Sequence, residues 1–395
     1  MKNKGLWRGL TFVSAMLLSV GITTGMTLEN FKGQIDSALG TQSSKMVSED
    51  DGSLWKTFVP PEEVMTSNKV DTQKLIKKFI KYGRRQASGG AVLLKNNNNV
   101  LPLASGSKVT LLGVRSHKLI QGADMGMPIE GPIVTLEDAL NKNVTRTNFN
   151  DIHNSASTTG GGWGGGVATP KAFSGLSDYD FKDVGGEGAG YELNPETIAA
   201  YHSLEETLGV TNKGPRKNPF DPHEPSIEQL TTANSNFESS FASYNDAAIV
   251  VVGRPSGEST DYLPGSVANG LGFTEPLQLT QNERDIIAKA KANFSKVIVL
   301  VNTSSQMELG ELASDDQIDS ILWVGQPGNY GTLGIADILS GKVAPSGGLS
   351  DTYATSNLSA PAMMNMGNFT FSNKDAITRS NSTKYTVEAE SIYTG

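Results

Sequence analysis

The chain has 395 residues, 37% hydrophobic and 19% charged, which is enough for two or three domains with at least one globular core. Its 33 basic and 41 acidic residues give a net charge of −8, opposite in sign to the basic field of a nucleic-acid binder, so no nucleic-acid partner is expected. The lack of cysteine excludes disulfides, thiol catalysis and thiolate metal sites; the four histidines (His117, His153, His202 and His223) form no H-x-x-x-H pair, so no zinc site of helical spacing is expected.

At the N-terminus, Lys2, Lys4 and Arg8 precede an uncharged stretch from Gly9 to Leu28, "GLTFVSAMLLSVGITTGMTL". A basic flank before an apolar run reads as a cleaved export signal or an uncleaved membrane anchor, with a buried hydrophobic helix as the bland alternative. Residues 1–28 are therefore taken as signal or anchor, which puts the remainder on the extracytoplasmic side, secreted or membrane-anchored. An exported chain without cysteine suggests a bacterial envelope. Residues 29–84 are polar tether and lead-in helix, punctuated by "SEDDGS" and "VPPEE". Within "DTQKLIKKFIKYGRRQA" (71–87), Leu75, Ile76, Phe79 and Ile80 recur at helical spacing. The Lys and Arg of that helix are read as a solvated face, with contact to an anionic membrane surface as the alternative.

Strand-like runs follow at "AVLLKN" (91–96) and "KVTLLGV" (108–114). The pattern then breaks at "STTGGGWGGG" (157–166), either a surface loop or a lid in which Trp163 stacks on a ligand. "YELNPETIAAYHSLEETLG" (191–209) contains a helix, and regular structure resumes with the strand "AAIVVVG" (247–253). "LTQNERDIIAKAKAN" (279–293) is a helix opened by a capping box of Thr280 and Glu283. "KVIVLVNTS" (296–304) and "IDSILWVG" (318–325) are strands, and "YGTLGIADILSGK" (330–342) is a helix ending on Gly341. Strands that are nearly continuous apolar runs, alternating with helices, indicate an α/β layered sandwich. Its sheet is mostly parallel and covered by helices on both faces. Residues 356–395 carry little periodicity and form a tail.

The chain contains no G-x-S-x-G, no G-x-x-x-x-G-K-[ST] and no G-x-G-x-x-G, so a nucleophile elbow and phosphate-cradling loops are absent and no cofactor is expected. What remains is the loop "RPSGESTDY" (254–262), which puts Glu258 and Asp261 just beyond a buried strand. In open α/β sheets the carboxyl ends of strands are where ligands bind. A carboxyl that donates a proton near neutral pH needs a pKa raised by burial or by a neighbouring negative charge. A solvated acidic loop is the alternative reading.

Four blocks in sequence order carry a resemblance to the family 3 glycoside hydrolases, and specifically to their second, α/β-sandwich domain. "ASGGAVLLKNNNNVLPL" (87–103) with "KVTLLG" (108–113) resembles the domain's opening helix and first strands. "AAIVVVGRPSGESTDY" is similar to the stretch that bears the acid/base, and "LTQNERDIIAKAKANFSKVIVLVNTSSQMEL" to the helix and strand after it. "IDSILWVGQPGNYGTLGIADILSGKVAPSGGLSDTY" resembles the family's "PG" and "PSG" run. The resemblance implies that residues 85–355 form the sandwich domain of an enzyme that hydrolyses β-glucosides or related O-glycosides with retention. Two carboxyl groups would flank the bond, roughly 5–5.5 Å apart. Glu258 matches the family's acid/base, and Asp261 the acidic residue three positions on. Asp261, Arg254 and Trp163 are taken as substrate-binding. The substrate would be a β-linked oligosaccharide or an aryl or alkyl glycoside.

The nucleophile belongs to a separate (β/α)8-type barrel in the family, and no segment here reads as one, so a barrel partner in cis or in trans is expected. "VEAESIYTG" resembles a segment that leads into further domains. "PSGGLSDTY" lacks the usual basic residue and Pro of its motif, and "QGADMGMPIEG" replaces a glycine-rich segment. Two readings stand: the sandwich half of an exported β-glycosidase, or a non-catalytic membrane-anchored sugar-binding or interaction module or gene fragment.

Overall fold

The computed structural model describes residues 4–30, 62, 65–66, 69–70, 72–121, 134–141, 188–209, 222–254 and 275–360. Six strands form one sheet: β3 (Val92–Asn96), β4 (Lys108–Leu112), β5 (Glu192–Leu193), β6 (Ala247–Arg254), β7 (Val297–Thr303) and β8 (Ser320–Trp323). Their spatial order is β3-β8-β7-β6-β4-β5. All neighbours run parallel except β3, which is antiparallel to β8. A two-stranded antiparallel ribbon, β1 (Met65–Thr66) with β2 (Lys69–Val70), precedes them, and a single-turn helix, α8 (Gly310–Ala313), lies between β7 and β8.

The strand sequences explain the layering. Every residue of β6 and β7 is buried, as expected for parallel strands covered on both faces. Alternate side chains enter opposite cores. Ile249, Val251, Ile298 and Leu300 face a core shared with Leu333 and Ile335 of α9 (Thr332–Leu339) and Ile80 of α2 (Thr72–Gly90). Val250, Val252, Val299 and Val301 face a second core, shared with Tyr201 of α5 (Pro195–Leu208), Leu230 of α6 (Ile227–Ala233) and Ile286 of α7 (Gln281–Asn293). The expected α/β fold, with strands near 108–114, 247–253, 297–302 and 318–323 side by side, is therefore observed.

Several local expectations hold in detail. Thr280 Oγ1 accepts from Glu283 N–H, and the Glu283 carboxylate reaches back to Thr280 N–H, which completes the capping box of α7. α9 stops before Gly341, which adopts φ +75°. The basic residues of α2 are not all a solvated face: Arg84 makes a bidentate pair with Asp337 of α9, both contacts at 2.5 Å, which ties the two helices of that layer together. Phe79 is 49% exposed whereas Ile80 is buried, so the buried face of α2 is narrower than its apolar spacing suggests.

The chain divides into two units, Met1–Pro61 with Thr159–Ala168, and Glu62–Thr158 with Thr169–Gly395. In the first unit, α1 (Lys4–Asn30) covers the stretch expected to be an export or anchor helix, and its Trp7, Phe12 and Leu17 are exposed. No helix among the described residues is long and apolar enough to cross a membrane. The membrane-spanning expectation therefore finds no support. Thr11 and Thr23 turn their hydroxyls onto the carbonyls of Trp7 and Ser19, one turn back.

Candidate active site

From β4 the chain adds β5 on one side and then β6, β7 and β8 on the other, so strand order reverses between β4 and β6. In open α/β sheets the carboxyl ends of strands at such a reversal are where ligands bind. Gly113 makes the turn at the end of β4. Its φ is +85°, and a Cβ would stand 2.4 Å from the Val251 carbonyl oxygen of β6, so no other residue allows this approach. Helix α3 (Val114–His117) starts immediately afterwards, and its four residues are buried.

The exposed amides at that turn are capped by side chains from distant segments. Gly113 N–H donates to Tyr201 Oη at 2.8 Å, and Val114 N–H donates to Glu224 Oε2 at 2.6 Å. The Tyr201 hydroxyl in turn donates to Glu224 Oε1 at 3.0 Å. Burial pushes the Glu224 carboxyl up to about 8, against the lowering effect of the Val114 amide. Burial, reinforced by the charge of Glu224, holds the Tyr201 phenol well above its ordinary value.

β6 ends on Arg254, and this residue departs from its expected role. It was read as a sugar contact, but it is 0% exposed. Nε–H donates to Pro276 O at 2.9 Å, and Nη1 donates to Gly253 O and to Glu283 Oε1, at 2.9 and 2.7 Å. Nη2 donates to Gln278 O and, at 2.8 Å, to Glu283 Oε2. A guanidinium has five N–H donors, and these contacts account for all of them. Arg254 thus clamps the strand end to residues 276–283, closing the base of the connection that carries Glu258. Glu258, Asp261 and Trp163 themselves lie outside the described residues.

Asn302, at the end of β7, joins the neighbouring strand ends. Its Oδ1 accepts from Ile120 N–H at 2.6 Å, and its Nδ2 donates to Ile120 O and Gly325 O at 2.9 and 2.6 Å. The segments that follow β4 and β8 are thereby fixed to the same edge. In the "PSGGLSDTY" motif, Gly347 lies against backbone: a Cβ would stand 2.5 Å from Gly90 O.

Tyr201, Glu224 and Asn302 were not singled out as functional from sequence. The readable signal was a polar residue closing an apolar run, as Asn302 closes "VIVLV". Glu224 lies in a stretch of mixed polar composition with no such marker. A third group was also hidden. His117 from α3, Glu137 from α4 (Leu136–Leu140) and His202 from α5 converge so that their possible ligand atoms lie within 4.8 Å of one another. No two of them are at metal-motif spacing in the sequence. Burial acts to raise the Glu137 pKa, but the hydrogen bonds and charges of the two histidines outweigh it and hold that carboxyl well below the usual carboxylate range. His202 is pushed up, chiefly by its hydrogen bond to Glu137.

Residues 91–393 match the family described as Glycosyl hydrolase family 3 C-terminal domain. The chain is 28% identical to Beta-glucosidase A of Butyrivibrio fibrisolvens over 294 residues, covering 70% of this chain and 29% of that protein. It is 27% identical to Beta-glucosidase of Ruminococcus albus over 247 residues, covering 60% of this chain and 23% of that protein. Among solved structures, beta-glucosidase 3B of Thermotoga neapolitana aligns with a TM-score of 0.49 at 24% identity, over 75% of this chain and 33% of that one. The chain therefore spans less than a third of the length of either of these two relatives.

Proposed function

Because the chain belongs to glycosyl hydrolase family 3, through that family's C-terminal domain, we propose that it supplies the acid/base carboxyl, Glu258, for retaining hydrolysis of a β-glucoside or related O-glycoside. One observation carries the proposal. The sheet reverses its strand order between β4 and β6, and Glu258 follows the end of β6, Arg254, by four residues. That end is held by a buried pair rather than left to solvent, so the connection bearing Glu258 starts from a rigid base.

In this reading, Glu258 protonates the leaving oxygen and then activates water. The carboxylate that forms the glycosyl-enzyme comes from a (β/α)8-type barrel, in cis or in trans. Asp261 contacts the sugar, and the buried Arg254 does not. Closure of the barrel over Glu258 would desolvate the carboxyl and raise its pKa, which suits a proton donor near neutrality. The basic flank of α1 supports an exported, extracytoplasmic location; fractionation of the native host checks it, and recovery in the cytoplasm alone would overturn it.

The activity test is hydrolysis of an aryl β-glucoside by this chain, by the chain joined to a barrel, and by the joined form carrying Glu258→Gln. The joined form should turn over, and Glu258→Gln should lower its rate by about 10²–10⁴-fold. The loss should be smallest for glycosylation by substrates with activated leaving groups, which need little protonation. Unchanged activity of the Gln variant on an unactivated glycoside would remove Glu258 from the reaction.

A further inference from the structure

The His117, Glu137 and His202 cluster has no part in glycoside hydrolysis as proposed above, and its geometry is that of a small ligand set. His117 Nδ1 and His202 Nε2 approach the same oxygen, Glu137 Oε1, at 2.5 and 2.8 Å. Three elements contribute one donor each: α3 at the end of the switch strand β4, α4, and α5 on the neighbouring connection. We propose that these three side chains bind one divalent transition-metal ion of the zinc class.

The distances favour it. Tetrahedral ligands at roughly 2.0–2.1 Å from a zinc ion stand about 3.4 Å apart. The two contacts at 2.5 and 2.8 Å must therefore open by less than about 1 Å for an ion to replace the shared protons. The donor set favours the same class: two imidazoles and one carboxylate suit zinc, cobalt, nickel or copper, whereas magnesium and calcium take oxygen ligands.

The surroundings also suit an ion. The side chain of His117 is 0% exposed, that of Glu137 14% and that of His202 42%, so the set is sheltered on one side and reachable from solvent through His202. A water can complete the coordination from that side. Glu205 Oε1 lies 3.7 Å from His202 Nδ1, behind the ligating nitrogen; it is not hydrogen-bonded there, and a shift of about 0.5–1 Å would let it accept from Nδ1 and orient a metal-bound imidazole. Lys118 holds that carboxylate through its other oxygen at 2.9 Å. On the far side of the His117 ring, Nε2 has no hydrogen-bond partner among the described residues, so no second contact opposes a small movement of the ring. Nδ1 shares its proton with Glu137, and that proton is the one a cation would displace. A bound ion would staple α3, α4 and α5 together beside the carboxyl end of β4.

The test uses the full chain, with any purification tag removed and metal stripped by a chelator. Calorimetric titration with Zn2+ should show one ion per chain. Zn2+ should raise the melting temperature reversibly, and Co2+ should give the visible absorption of a four-coordinate nitrogen and oxygen site. Mg2+ should do neither. His202→Ala removes a half-exposed ligand and should leave the metal-free melting temperature near that of the parent. It should weaken Zn2+ binding by more than about 100-fold, exceeding the 10–100-fold typical of losing an orienting partner. Glu205→Gln, which keeps all three ligands, should weaken it by about tenfold. Absence of saturable Zn2+ binding would overturn the proposal, and so would a His202→Ala chain that binds Zn2+ as tightly as the parent.

Discussion

Removing the charge on Glu283 tests the clamp beneath the Glu258 connection. In Glu283→Gln the side chain keeps its shape, but an NH2 group replaces one of the two oxygens that accept from Arg254, at 2.7 and 2.8 Å. At least one guanidinium N–H then faces a donor, and a buried positive charge loses its counter-charge. Arg254 is 0% exposed, so water cannot take over. Two charge-assisted hydrogen bonds at ~1.5–3 kcal/mol each set the scale. Breaking a buried pair from one side is known to cost about 3–5 kcal/mol, in agreement. The assay is urea unfolding at neutral pH followed by far-UV circular dichroism, comparing the parent, Glu283→Gln, and the double variant Arg254→Met with Glu283→Leu. The double variant should be less destabilised than Glu283→Gln, because it buries no unpaired charge. A single variant within about 1 kcal/mol of the parent would refute the reasoning, since it would mean that the pair is solvated in solution.

Glu224 should make stability fall with rising pH. Its folded-state pKa is raised from 4.5 to about 8, so its contribution is fully present below pH 4.5 and is lost as pH rises through the folded value. At about 1.4 kcal/mol per unit the whole span is on the order of 5 kcal/mol. Glu224→Gln should flatten the stability profile between those limits, and an unaltered profile would rule this carboxyl out as the cause. Gly113→Ala should cost more than about 2 kcal/mol, since a φ of +85° alone is strained for alanine and the added Cβ meets the Val251 carbonyl; a melting temperature equal to that of the parent would show that β4 can retreat from β6. The activity loss in Glu258→Gln and the zinc affinity of the His202→Ala chain complete the set.

Much of the scaffold is determined by sequence alone, because the signals involved are local. A parallel strand covered on both faces must be apolar throughout, so "AAIVVV" and "VIVLV" declare themselves as β6 and β7. A capping box uses neighbours three residues apart, so Thr280 and Glu283 mark the start of α7 without any tertiary knowledge. The position of Glu258 after β6 is readable in the same way. What tertiary structure alone decides is which distant groups meet. Arg254 adjoins the acidic loop in sequence and so reads as a ligand contact, yet a carboxylate 29 residues away, two loop carbonyls and one strand-end carbonyl take its donors. Tyr201 and Glu224 reach the Gly113 turn from 88 and 110 residues away along the chain. His117, Glu137 and His202 come from three separate helices, and no spacing rule links them. Periodicity reports which face of an element is buried; it carries no information about the partner waiting there. That is set by strand order, and strand order at the β4–β6 reversal is what gathers these groups at one edge of the sheet.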